Sequence, residues 1–484
     1  MQKHPSIKRN FLMNSVLRAA NVIFPLITIP YVSRILLPSG MGSVSFATSF
    51  VAYFNMAAQL GVPSYGVRAC ARVRDDRQEL SQVTMELLTL NLAGTVIAYL
   101  AFALCVLFIP GMGGDRTLLV IISATVFFNS IGMEWLYKGL EQYTYITVRS
   151  LIFKTIALTA VFLQIRNQGD VLIYAGISIF ASSASNILNF IHARRLVDFR
   201  VRSRLDLRRH LKPVLILFAM TCAFTLLTNL DEVMLGFIKT EADVGYYHAS
   251  VRITIALVEI ITALSVVLLP RASYYVEHGM TESFRRITDK GIHFVLLSSA
   301  GLTVYFMLYA GETVSCLFGN AFDASVLPMI LIMPNVMLTG MTRVMGNQML
   351  IPLGREKIVL YSVTAGAAAD VVLNALLIPR FGPSGAVIGT IAAESVIVLI
   401  QYMNVRSEIG GTVRRFVSWK IAAALVLGAG VSLWVKLLPL GPLYRLMLSS
   451  VLFFAAYMVF LLIARETMVV EAYNWLIKKF KRVR

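Results

Sequence analysis

Apolar stretches long enough to cross a bilayer follow one another along nearly the whole chain, and the segments between them carry Lys and Arg on every second one, beginning with the N-terminus. About 20 predominantly apolar residues make one span. By that measure fourteen spans can be drawn, at roughly residues 11–32, 44–62, 86–109, 118–137, 147–165, 171–191, 213–238, 245–270, 292–317, 326–351, 358–378, 384–403, 417–438 and 443–464. The densest basic run, Arg194, Arg195, Arg200, Arg202, Arg204, Arg208, Arg209 and Lys212, lies between the sixth and seventh. The alternate loops and their span ends hold only Arg34, Arg116, Arg166, Lys239, Arg380, Lys436 and Arg445. Lys and Arg concentrate on the cytoplasmic side of membrane proteins. The chain is therefore expected to be an all-α polytopic membrane protein of about fourteen helices with both termini in the cytoplasm.

Composition narrows the function classes. With 57% apolar and 14% charged residues, little is left for a separate aqueous domain. A net charge of +18 would suggest nucleic acid in a soluble protein; here it follows from the loop asymmetry and attraction to anionic lipid, and no nucleic acid is expected. Cys70, Cys105, Cys222 and Cys316 are scattered without metal spacing and read as small apolar residues. The first apolar run, interrupted by Arg18 and lacking a small-residue cleavage site, does not read as a removable signal. Phosphate-loop, metal-helix and nucleophile-elbow motifs are absent, so no covalent chemistry and no cofactor or metal is expected. The acidic turn at Asp75, Asp76 and Glu79 is neutralised by Arg68, Arg72, Arg74 and Arg77 and reads as a solvated loop. A glycan polymerase would call for a larger loop outside the membrane than any of these.

Ionisable residues inside spans cost several kcal/mol unless they pair or face a cavity. Arg18 lies about seven residues into span 1, or ~11 Å at 1.5 Å per residue, near the limit of snorkelling. Arg252 is at similar depth in span 8, and Glu259, seven residues on, returns to nearly the same helix face. Lys154 and Arg343 are also deep. These cations, with Arg34, suit a phosphorylated or carboxylated solute better than a cationic one, because guanidinium matches phosphate geometry and stays charged. Asp231, Glu259, Asp370 and Glu394 are the candidate carriers of a coupling ion or proton, since burial disfavours an ionised carboxylate. Glu86, Glu134, Glu312 and Lys420, near span ends, are expected at the interface.

Pro25 and Pro30 in span 1, Pro328 and Pro334 in span 10, and Gly301, Gly311 and Gly340 mark places where a helix lining a cavity can break. A faint repeat relates spans 1 and 2 to spans 7 and 8. The expected organisation is an N-terminal lobe over 1–195 (spans 1–6), a basic cytoplasmic linker over 196–212, a C-terminal lobe over 213–404 (spans 7–12), spans 13 and 14 over 405–464, and a basic cytoplasmic tail over 465–484. The tail is expected to lie on anionic lipid.

Several strings in this order, Phe24-Pro25-Leu26-Ile27-Thr28-Ile29-Pro30-Tyr31-Val32-Ser33-Arg34, Gly40-Met41-Gly42, Leu60-Gly61-Val62-Pro63-Ser64-Tyr65-Gly66-Val67-Arg68, Glu134-Trp135-Leu136-Tyr137, Asp231-Glu232-Val233-Met234-Leu235-Gly236, Gly346-Asn347-Gln348-Met349-Leu350-Ile351-Pro352-Leu353-Gly354 and Asn374-Ala375-Leu376-Leu377-Ile378-Pro379-Arg380-Phe381-Gly382, carry a resemblance. The chain resembles the multidrug/oligosaccharidyl-lipid/polysaccharide exporter superfamily in its polysaccharide branch, the Wzx-type flippases, over about residues 8 to 465. Lys138 departs from the pattern, where an uncharged polar residue is more usual.

The resemblance implies two six-helix lobes of MATE/MurJ-like fold plus two C-terminal helices. It implies transfer of undecaprenyl-diphosphate-linked oligosaccharide repeat units to the outer leaflet of the bacterial inner membrane for O-antigen, capsule or exopolysaccharide assembly. Alternating access, a cationic cavity including Arg18, Arg34 and Arg252, and coupling to an ion or proton gradient are implied with it. The implied partners are the lipid-linked glycan, membrane lipids, a polysaccharide polymerase and glycosyltransferases. The alternative within the superfamily is a proton- or sodium-coupled small-molecule exporter, for which acidic groups would dominate binding.

Overall fold

The computed structural model describes residues 7–109, 116–200, 205–409 and 419–481. Of the basic linker run, Arg202 and Arg204 lie outside the described residues. The described residues form α-helices with short 3-10 and π-helical pieces, as an all-α polytopic membrane protein requires. Twelve helices are long and apolar enough to cross a membrane, or up to thirteen when the bent pair Asn320–Ile332 and Asn335–Leu350 is taken as one span. One of the twelve, Arg9–Arg72, holds the residues of both the first and second expected spans.

The breaks have local causes. Helix α1, Ile7–Gln59, is interrupted at Leu37, whose φ of 60° and ψ of 177° are not helical. Leu37 precedes Pro38, and the proline ring excludes the α conformation from the residue before it. The bent pair turns by 49° where Pro334 follows Met333. Pro25 and Pro30, in contrast, sit inside α1 without ending it.

Two compact units divide the chain, Met1–Gly245 and Tyr246–Arg484. The first contains α1, α2 (Val62–Arg72), α3 (Arg77–Phe108), α4 (Arg116–Ile131), α5 (Glu134–Gly139), α6 (Tyr143–Gln164), α7 (Val171–Ile179), α8 (Asn186–Leu196) and α9 (Arg208–Ile238). The helix α10 (Glu241–Glu277) begins there and continues into the second unit. Helix α1 packs on α3, α4, α6 and α9. A core of Val62, Cys70, Leu87, Met133, Leu136 and Val214 is assembled at one end of the unit by the short helices α2 and α5 together with α3 and α9. On α3, Val96, Ile97, Leu100, Leu104, Leu107 and Phe108 remain exposed, an apolar stripe of the kind lipid covers.

Glu86, expected near a span end, is enclosed by protein. It is fully buried at the start of the apolar part of α3 and accepts from Arg209 Nη2 at 2.5 Å, His210 Nε2 at 2.7 Å and the Asp206 backbone N–H at 2.8 Å. His210 in turn meets the Tyr65 hydroxyl through Nδ1 at 2.9 Å. The basic linker is thus clamped onto α2 and α3, a satisfied buried charge that hydropathy alone reads as a span end.

The second unit holds α11 (Thr281–Leu308), α12 (Ala310–Leu317), α13 (Val326–Ile332), α14 (Asn335–Arg343), a π-helical run Val344–Leu350, α15 (Glu356–Phe381), α16 (Pro383–Ile409), α17 (Trp419–Leu433), α18 (Pro442–Ile463) and α19 (Thr467–Lys481). Helices α15 and α16 form its most extensive pair, and α17 and α18 the next. Tyr305, Tyr309 and Phe453 join α18 to α11 and α12; the Tyr309 hydroxyl donates to Ser432 O at 2.6 Å and Tyr305 pairs with Ser449 at 3.0 Å. Buried tyrosines with satisfied hydroxyls hold these helices where apolar contact alone gives no direction.

Candidate functional site

In the first unit α1 and α6 pack side by side and carry two of the expected cations, Arg18 and Lys154. Lys154 Nζ donates to Asn21 Oδ1 at 2.6 Å and lies 6.0 Å from the Phe24 ring centroid. Arg18, one turn before Asn21, is exposed. Among the described residues neither Arg18 nor Lys154 forms an ion pair with a carboxylate. Arg34 is further along α1, exposed, with Nη1 donating to Pro30 O at 2.5 Å. Asp231 is buried on α9, whereas its neighbour Glu232 accepts from the Ser49 hydroxyl.

Close contact between α1 and the start of α10 is made by two glycines, of which Gly42 belongs to the motif strings. A Cβ on Gly42 would lie 1.8 Å from Glu241 O, and one on Gly245 would lie 2.0 Å from Pro38 O. Ser43 Oγ also donates to Glu241 Oε2 at 2.7 Å.

The second unit places Arg343 at the end of α14, exposed, and Glu394 half-buried on α16, near enough for their charges to interact. Thr339 and Thr342 on α14 are close to Glu394, and the Thr342 hydroxyl donates to Thr339 O at 2.9 Å. Arg252 is half-buried and Glu259 exposed on α10; among the described residues no ion pair joins them. Asp370 and Asn374, one turn apart on α15, are completely buried. A Cβ on Gly389 of α16 would lie 2.2 Å from Asn374 Oδ1 and 3.2 Å from Asp370 Oδ1, so the missing side chain makes room for both polar groups.

The structure therefore brings Lys154 together with Asn21 on the helix that carries Arg18, Arg343 with Glu394, and Asp370 with Asn374. It also exposes a residue that sequence reading passed over. Arg149, only a few residues inside α6, is buried and donates to Ser185 O at 3.0 Å and to Asn186 Oδ1 at 3.4 Å. Its position near a span end resembles that of an interfacial arginine, and nothing in the spacing distinguishes it.

The family model described as "Polysaccharide biosynthesis protein" matches residues 7–276. A curated relative from Escherichia coli (strain K12), named "Putative O-antigen transporter", is 22% identical over 409 residues, which is 83% of this chain and 97% of that protein. A relative of the same name from Shigella dysenteriae is 22% identical over 410 residues, 83% of this chain and 100% of that protein. Among solved structures, "Lipid II flippase MurJ, inward closed conformation" superposes with a TM-score of 0.74 at 12% identity, covering 95% of this chain and 100% of that one. An inward-facing multidrug resistance MATE family transporter of the MOP superfamily gives a TM-score of 0.68 at 15% identity, covering 81% of this chain and 95% of that one. These two likenesses establish a MurJ/MATE-like fold.

Proposed function

The chain belongs to the polysaccharide biosynthesis protein family, and from that premise we propose that it is a flippase carrying undecaprenyl-diphosphate-linked oligosaccharide repeat units from the cytoplasmic to the outer leaflet of the bacterial inner membrane. The observation that carries this reading is the packed pair α1 and α6, two apolar helices that carry Arg18 and Lys154, where among the described residues the polar partner of the Lys154 ammonium is an amide. Uncompensated cations at membrane depth call for an anion from elsewhere. A diphosphate supplies it, and Arg binds phosphate through paired N–H donors. The names of the curated relatives support a glycan cargo.

In this mechanism Arg18, Arg34, Lys154, Arg252 and Arg343 are the cations that attract the diphosphate by charge, and the polyprenyl tail stays in lipid. Alternating access moves the head group, and no bond is made or broken. Asp370, Glu394, Asp231 and Glu259 are the groups that a proton or cation would neutralise to reset the cycle. Asp370 is the best placed, being fully buried beside Asn374. The flipped glycan would pass to a polysaccharide polymerase, and the cytoplasmic side would receive it from glycosyltransferases.

The test is flux of a lipid-diphosphate-linked oligosaccharide in proteoliposomes for wild type, Arg18→Ala, Arg252→Ala and the corresponding Lys variants, with membrane insertion checked for each. Loss in Ala and partial recovery in Lys is expected. Flux no higher than in empty liposomes for the wild type would reject the reading and favour the ion-coupled small-molecule exporter.

A further inference from the structure

Arg149 begins a chain of hydrogen bonds that crosses four helices of the first unit. Its guanidinium donates to Asn186 Oδ1 at 3.4 Å. Asn186 Nδ2 donates to Asn129 Oδ1 at 3.1 Å, and Asn129 Nδ2 donates to Asn55 Oδ1 at 3.3 Å. Asn55 Oδ1 also accepts from Gln59 Nε2 at 2.8 Å. The participating residues lie on α6, α8, α4 and α1.

An amide group can usually be turned end for end without changing its shape, and the surrounding bonds decide which end is the oxygen. Here the decision is made at one terminus. Arginine has donors only, so Asn186 must present its oxygen to Arg149 and its nitrogen onward; Asn129 and Asn55 follow in the same sense. The ladder is therefore polarised. Its carbonyl oxygens are consumed internally, while the remaining N–H of Asn186, the remaining N–H of Asn129 and both of Asn55 have no protein acceptor among the described residues.

Two further features indicate a built arrangement. A π-helical turn, Phe180–Ala184, ends immediately before Ser185, and Ser185 O also accepts from Arg149; such turns re-aim the side chains that follow them. Gly132 lies against Asn186, where a Cβ would come within 2.5 Å of Asn186 Cγ. Meanwhile Asn55, Gln59 and Asn129 are only half-buried. Free amide donors face hydrocarbon only at a large penalty, so these half-buried amides call for water or a polar occupant on their open side.

Resting on the transport reading above, we infer that the Asn55–Asn129–Asn186 ladder is a sugar-selecting wall that favours glycans rich in carbonyl or carboxylate acceptors over sugars bearing hydroxyls alone. Arg149 is its positioning residue. A hydroxyl can rotate to accept from a donor wall, but an acetamido or uronate oxygen is a stronger acceptor held in a fixed plane.

The experiment measures flux in proteoliposomes for two probes, undecaprenyl diphosphate carrying N-acetylglucosamine and undecaprenyl diphosphate carrying glucose. Wild type is expected to favour the acetamido lipid by about tenfold, the value of one good hydrogen bond. Asn129→Asp, which replaces a donor by an acceptor of the same shape, brings the ratio near one. Asn55→Ser removes donors at the half-exposed end and does the same, so the ratio is read even where Asn129→Asp does not insert. Arg149→Lys keeps a donor-only start and retains the discrimination, whereas Arg149→Met loses it. Flux of both lipids without preference in wild type, or a preference unchanged in Asn129→Asp and Asn55→Ser, overturns the wall while leaving the transporter intact. Flux of neither lipid in wild type rejects the transport reading itself.

Discussion

His293 Nε2 and Glu466 Oε1 lie 2.8 Å apart in the second unit, both buried, at the point where the chain leaves α18 for α19. Glu466 Oε2 also accepts from the backbone N–H groups of Met468 and Val469 at 3.1 and 3.0 Å, capping α19. Burial pushes the Glu466 carboxyl upward, but the hydrogen bonds from His293, Val469 and Met468 outweigh it and hold its pKa below the ordinary 4.5. The folded value is thus lower than the unfolded one. Its stabilisation is complete above about pH 4.5 and is lost as pH falls through the folded value. Glu466→Gln should lower stability at neutral pH by about 1–3 kcal/mol. The difference from wild type should shrink on acidification, as followed by thermal unfolding in detergent. A difference independent of pH would show that the carboxylate charge plays no part in capping α19.

The Glu86 clamp predicts a different signature. Its carboxylate has no exposure; Arg209 supplies a charge, and Arg209, His210 and the Asp206 backbone N–H supply the donors that make burial tolerable. Glu86→Gln keeps the shape but weakens the whole set of bonds, and should cost about 2–4 kcal/mol, as breaking a buried charged pair does. Since the clamp is remote from the α1/α6 seam in sequence and function, transport per correctly inserted molecule should persist. A variant with wild-type thermal stability would mean that the linker is held by apolar contacts alone.

Hydropathy and charge alternation made the helical membrane architecture legible, because the bilayer demands long apolar helices whatever their packing. Of the prolines singled out in the sequence, Pro334 marked a real break, while Pro25 and Pro30 did not end α1, since surrounding contacts can accommodate a proline in a membrane helix; the break at Leu37, before Pro38, was not among them. The site was only partly legible. Depth in a span singled out Lys154 and Asp370, but their neighbours Asn21 and Asn374 came from packing. Arg149 and Glu86 were missed for one reason: a charge near a span end can snorkel, and only the folded structure shows that it turns inward.

Gly42 is the contact point of α1 with the first turn of α10. A Cβ there would stand 1.8 Å from Glu241 O, with Gly245 N and Glu241 C at 2.7 and 2.8 Å. These neighbours are backbone atoms and cannot move without shifting a helix. Gly42→Ala should therefore destabilise the first unit by about 1–3 kcal/mol, the usual cost of overpacking, and lower its yield in the membrane. Quantifying inserted protein together with unfolding in detergent checks this; unchanged values would mean that α10 can slide away from α1 at little cost.

Asp370 and Asn374 provide the test of coupling. Both are completely buried on one face of α15, and the Gly389 position on α16 leaves space beside them. The coupling role proposed for Asp370 requires its carboxylate to exchange a proton or a cation during the cycle. Asp370→Asn retains shape but cannot change charge. If one elementary charge crosses with each cycle, a potential of ~100 mV contributes ~2.3 kcal/mol, or about fifty-fold in driving force. The variant should lose the acceleration that an imposed gradient gives to lipid-linked glycan flux, yet keep exchange between equally loaded compartments. Measuring both modes in the same proteoliposomes separates coupling from folding: loss of exchange and gradient response together would assign Asp370 to the structure, and retention of both would move coupling to Glu394, Asp231 or Glu259.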